Sequence, residues 1–83
     1  MSTVSDIFTR HQVAIICDPT LLKKTRKAML AKGDVTIIEL EQIDAAIAFS
    51  NEWFNGDFNK FFSVEETAKH CNAVLAIHAK HFN

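Results

Sequence analysis

The strongest breakers of regular structure occur at only three places in this chain, Pro19, Gly33 and Gly56. Gly and Pro are the main punctuation of turns and loops, so 83 residues with three of them must lie mostly in helices or strands joined by short connections. A 48% hydrophobic content with seven Phe and one Trp is enough for one compact core and lies above what disordered chains carry. That core is thin, because a chain of this length buries only about 60–65% of the surface its unfolded form exposes. Completion of the core against a second copy or a partner is therefore expected. No repeat, low-complexity stretch or linker interrupts the sequence, which reads as one compact domain over 1–83.

Four segments carry local signals. Gln12-Val-Ala-Ile-Ile-Cys17 is a β-branched run closed by Asp18-Pro19, which predicts a short buried strand. An alternative is one helix over Thr3–Cys17, since Val4, Ile7, Phe8, His11, Ala14 and Ile15 fall at helical spacing. Residues 19–32 predict a helix with Asp18 as N-cap, Gly33 just past its end, and Leu21, Leu22, Thr25, Ala28 and Met29 on its inner face. Asp34-Val-Thr-Ile-Ile-Glu-Leu40 is again β-branched and predicts a second strand, although Thr36 and Glu39 also have the spacing of a helix-starting capping box. From Glu41 to Asn55 the period turns helical through Ile43, Ala46, Ile47, Phe49, Trp53 and Phe54. The last helix starts behind Ser63 and Glu66 and reaches about Phe82, with Val64, Ala68, Cys71, Val74, Leu75, His78 and Phe82 as its buried stripe.

The resulting expectation is an α+β chain, mostly helical, with a small β-α-β unit followed by two helices. A two-stranded sheet leaves its edges unpaired, so this reading requires a dimer to extend it. The alternative fold is an all-α bundle of four helices.

Charge is segregated along the chain. The helix over 19–32 carries Lys23, Lys24, Arg26, Lys27 and Lys32 with no acid, whereas residues 34–57 carry Asp34, Glu39, Glu41, Asp44, Glu52 and Asp57 with no Lys or Arg. A net charge of −1 argues against whole-molecule attraction to nucleic acid or anionic membrane. Lys23, Lys24, Arg26 and Lys27 are the local candidates for docking an acidic protein or, as the alternative, a phosphate backbone. The plainer reading is a solvated helix face balanced across space by the acidic stretch.

Trp53, Phe54, Phe58, Phe61 and Phe62 crowd into ten positions around Gly56. Aromatic side chains at that density are either interface anchors or the plug of a small core. With the basic helix they form the candidate partner-binding surface. The C-terminal helix places Cys71 and His78 on one face, but a single helix cannot converge four metal ligands. Both are expected in the core, with His70 and His81 on its flanks. Glycine-rich phosphate loops, GxSxG, HExxH and paired CxxC patterns are all missing, so no catalytic, cofactor or metal residues are assigned. Cys17 and Cys71 fit neither a disulfide framework nor a zinc ribbon and read as buried free thiols. The longest apolar run, Val13–Cys17, is far shorter than the about 20 residues that span a bilayer. Residues 1–6 also lack the basic start and apolar stretch of a signal peptide. The sequence thus predicts a cytoplasmic, non-enzymatic regulatory or adaptor protein. It would self-associate, act by protein–protein binding, and serve as an inhibitor or modulator of a larger machine.

Overall fold

The computed structural model describes residues 8–55 and 62–82, and among them it contains four helices and no strand. Helix α1 spans Arg10–Ile16, α2 Pro19–Lys32, α3 Ile37–Phe54 and α4 Val64–His81. Each begins at a residue whose side chain accepts a hydrogen bond from the first turn: Thr9, Asp18, Thr36 and Ser63. Helix α2 stops at Gly33, whose φ of 78° lies in the left-handed region that favours glycine.

The expected β-α-β unit is not formed. Residues 12–17 lie in α1 and its C-terminal cap, and residues 37–40 are the first turn of α3. Reciprocal hydrogen bonds decide both cases. Thr9 N–H donates to Gln12 Oε1 at 2.9 Å while Gln12 N–H donates to Thr9 Oγ1 at 3.1 Å, and Thr36 and Glu39 make the same pair at 2.9 and 3.1 Å. These bonds satisfy orphan amides that a two-stranded ribbon would have to pair elsewhere. β-propensity reflects fit to a pleated, half-buried surface rather than an intrinsic backbone preference. No such surface forms here: Ile37 and Ile38 are 76% and 67% exposed, the opposite of a buried strand. Helix α3 therefore starts four residues before the Glu41 expected from its period.

Helix α3 packs against both α2 and α4, and α1 lies against α4. The core between them takes Val13 and Cys17 from the α1 end, Leu22 and Met29 from α2, Ile43, Ala46 and Phe49 from α3, and Cys71, Val74 and Ile77 from α4. Ser50, fully buried on α3, donates its hydroxyl proton to the Cys17 carbonyl, an acceptor left over at the end of α1. Two further polar links join α4 to the other long helices. His81 Nε2 contacts Glu39 Oε2 at 2.8 Å and Lys80 Nζ contacts Glu39 Oε1 at 3.0 Å. Lys32 donates to the His81 carbonyl. His81 is buried, not on the flank expected of it. Its partner is an acceptor-only carboxylate, so Nε2 is the nitrogen that carries the proton.

Two outcomes are expected. At high dilution, where each chain unfolds alone, Ile37→Ala should leave the urea midpoint unchanged or raise it slightly, since Ala is the better helix former at an exposed site. A buried strand residue would instead lose about 2–5 kcal/mol. The second concerns acid. Hydrogen bonds from the Thr36 amide first, then from His81 and Lys80, hold the Glu39 carboxyl at about 2 against an ordinary 4.5. A depressed carboxylate stabilises the fold above its unfolded pKa, and that contribution fades as pH falls from about 4.5 towards 2. Thermal unfolding followed across that range should show a declining midpoint for the wild type. Glu39→Gln should start lower at pH 7 and decline less.

Candidate functional site

The residues read as contact surfaces divide in the structure. On α2, Lys23, Lys24 and Lys27 are exposed and make no ion pair among the described residues. Arg26 is turned aside, with its Nε 2.7 Å from Asp44 Oδ1 on α3. Both side chains are substantially exposed, so the pair contributes at most about 1 kcal/mol. Lys32 is drawn to the end of α4, where its Nζ lies 5.7 Å from the Phe82 ring centre. Of the five cations on the basic helix, three lysines are thus free.

The aromatic cluster also divides. Trp53 and Phe62 are half-buried and pack against the core, Phe62 edge-on to Phe49 with ring centres 4.8 Å apart. Arg10 lies 5.7 Å above the Trp53 ring. Phe54 is 43% exposed, with its ring 4.9 Å from Trp53. Phe58 and Phe61 lie outside the described residues. Trp53 and Phe62 serve as core material, which leaves Phe54 as the exposed aromatic among the described members of this cluster.

The apolar surface that remains open lies elsewhere. Ile15, Ile16, Leu21, Val74, Leu75 and His78 line a recess of about 220 Å³ where α1, α2 and α4 meet. Leu21, Lys24, Thr25, Ala28, His78 and Phe82 line an adjoining one of about 330 Å³ between α2 and α4. The two share Leu21 and His78 and form one groove along α2 and α4. Ile15, Leu21, Leu75 and Phe82 are 38–57% exposed along it. No acidic residue lines either recess. Within α2 Thr25 Oγ1 donates to the Leu21 carbonyl at 2.9 Å, and across to α4 it lies 3.4 Å from His78 Nε2. The hydroxyl proton is committed to the carbonyl, so the Thr25 oxygen is the acceptor and His78 Nε2 the donor.

Sequence reasoning placed Leu21, Leu75, His78 and Phe82 on buried faces, and missed Ile15 as a surface residue. The available signal was width. Leu75 and Phe82 extend the apolar arc of α4 past the side that α1 and α3 cover, and an arc wider than its neighbours is a mark of an open face.

A third recess, of about 570 Å³ and open to solvent, lies between α3 and α4 and is lined by Ile38, Glu41, Gln42, Ala45, Lys69, His70, Asn72 and Ala73. It is larger but mixes charges of both signs with neutral groups. His70 stacks on Phe49 with ring centres 4.7 Å apart. Burial, with Lys69 as the lesser cause, lowers its pKa from the ordinary 6.5.

Cys17 and Cys71 are fully buried and face each other, with Sγ atoms 3.8 Å apart. Burial, and secondarily Cys71, pushes the Cys17 thiol up to about 12, and burial raises Cys71 as well. Neither supplies a thiolate nucleophile at neutral pH. Among the described residues no three His, Cys, Asp or Glu side chains converge as metal ligands would. No helix among them is long and apolar enough to cross a membrane. The chain matches no protein-family model, no curated protein and no solved structure.

The thiols carry a direct check. At pH 8 the native protein should react with a chromogenic disulfide reagent about a hundredfold or more slowly than a free cysteine. Guanidinium should release both thiols at once. Fast native labelling of either residue would contradict its burial.

Proposed function

We propose that this chain is a small non-catalytic regulatory or adaptor protein that acts by binding another protein, an inhibitor or modulator of a larger machine. The groove along α2 and α4 is its contact surface. One observation carries this reading: Ile15, Leu21, Leu75 and Phe82, exposed apolar side chains from three helices, converge on a single groove that no acid lines. Exposed apolar side chains gathered into one place mark binding surfaces, whereas the same residues scattered singly would not. Lys24 lines the groove, and Lys27 follows three residues along the same helix. A partner segment presenting apolar anchors flanked by carboxylates is the chemistry that fits. Phe54 stands apart from the groove as an accessory contact. The two free thiols suit a reducing compartment, the cytoplasm.

The nucleic-acid reading is weaker. With Arg26 engaged by Asp44 and Lys32 by the end of α4, three lysines remain for phosphate contacts, and an apolar groove gives a phosphate backbone nothing to bind.

The test uses two labelled amphipathic helical peptides with the same leucine anchors, one flanked by Glu and one by Lys, read by fluorescence anisotropy. The Glu peptide should bind and the Lys peptide should not. Leu21→Glu/Leu75→Glu should weaken binding by about tenfold or more, roughly the loss of one anchor of at least 1.4 kcal/mol. Equal binding of both peptides, or binding unaffected by the double substitution, would refute the groove as the site. Retention of a labelled DNA or RNA duplex at about 0.15 M salt, lost in Lys23→Glu/Lys24→Glu/Lys27→Glu, would put the phosphate reading first.

A further inference from the structure

We infer that a second copy of this chain occupies the groove, laying the outward face of its α3 along α2 and α4, so that self-association masks the surface used for other partners. The inference rests on the groove being a docking site and names its occupant.

Three observations point to α3. First, its charge is the complement of the groove's. Residues 37–54 contain Glu39, Glu41, Asp44 and Glu52 and no Lys or Arg, and Glu52 has a partner within its own molecule. Glu39 is turned inward to His81 and Lys80, but Glu41 is exposed with no ion pair among the described residues, and Asp44 remains 53% exposed beside Arg26. The groove offers Lys24 and no acid. Second, this outward face carries its own unpartnered apolar anchors. Ile37 and Ile38 are the two most exposed large apolar side chains described, and Ala45 and Ala48 continue the exposed face with side chains too small to hold a docking helix away. Third, no α3 residue lines either recess of the groove. A molecule can therefore present its α3 to one neighbour while receiving another in its groove.

Such a contact joins two different surfaces. It grows into a ring or a filament unless a two-fold arrangement closes it with two such contacts. The net charge of −1 favours the encounter, because opposite charges are separated on the molecule without a large overall repulsion. A bound partner and a second copy compete for the same apolar wall. The free fraction of grooves accordingly falls as the protein becomes more concentrated.

The experiment is sedimentation velocity on the intact protein from micromolar to near-millimolar concentration, with a charge-swap pair. Wild type should sediment above 9.4 kDa, its mass rising with concentration and falling as salt is raised. Lys24→Glu/Lys27→Glu places acid opposite acid, and Glu41→Lys/Ala48→Lys places base opposite base. Each alone should stay monomeric with an unchanged circular-dichroism spectrum, and an equimolar mixture should associate again. The Glu-flanked peptide should break up the wild-type assembly. A wild type that remains at 9.4 kDa throughout while the peptide still binds would overturn this inference and leave the groove's function standing. Loss of both would remove the two together. Assembly that persists in each charge variant, or that the peptide leaves intact, would place the contact on another surface and overturn the inference as well.

Discussion

Protons reach the carboxylate of Glu39 from three directions. The Thr36 amide donates from the start of its own helix, and Lys80 and His81 donate from the last turn of α4. One charge therefore starts α3 and fixes where α4 ends. In the first turn of a helix a carboxylate also meets the positive end of the helix dipole, while Lys80 and His81 sit where cationic and donor groups oppose the negative end of theirs. The remaining arrangement depends on this junction. It sets the register of α3 against α4, and with it the line of Ile43, Ala46 and Phe49 against Cys71, Val74 and Ile77. It also leaves the His81 carbonyl for Lys32 of α2.

How far the sequence discloses this depends on the range of each interaction. The bounds of helix α2 are legible because the signals that set them are local, Asp18 and Pro19 at one end and Gly33 at the other, although Leu21, expected on its inner face, is exposed. The β-branched runs at 12–17 and 34–40 mislead because residue type is a weaker signal than the hydrogen bonds available to the backbone. At Thr36 the capping spacing was visible in the sequence and outweighs two adjacent isoleucines. At Thr9 the same device uses a Gln three residues on, inside the stretch that resembles a strand. The link between Glu39 and His81 crosses 42 positions, and that between Thr25 and His78 crosses 53. No periodicity encodes such a meeting, so the burial of His81 emerges only with the packing.

The same reasoning explains why the candidate surface moved. Aromatic density drew attention to residues 53–62, yet in a thin core large rings are the most effective filler, and Trp53 and Phe62 are used that way. The surface left uncovered lies at the seam between α2 and α4, where Ile15, Leu21, Leu75 and Phe82 come from separate elements. A contact surface assembled from separate elements has no signature in any single stretch of sequence. The charge segregation was legible as a pattern. Only the structure shows that Arg26 and Lys32 are engaged internally and that Lys24 faces the groove.

The groove is a consequence of how α2 is held. Leu22 and Met29 turn into the core, leaving Thr25 and Ala28 towards α4. Neither is long enough to close the gap by apolar contact. What crosses it instead is polar: the His78 ring meets Thr25, and Lys32 reaches the His81 carbonyl. Polar bridges between helices hold them at a fixed separation without filling the space beside them, because each bond satisfies its groups at one distance and adds little apolar area. The walls on either side, Leu21 on α2 and Leu75 and Phe82 on α4, then remain apolar and half-exposed. An 83-residue chain has no further helix among its described residues to lay over them. An amphipathic helix laid over these walls would complete the core, and in the inferred assembly α3 of a second copy supplies it, with apolar anchors at Ile37 and Ile38 and acid at Glu41.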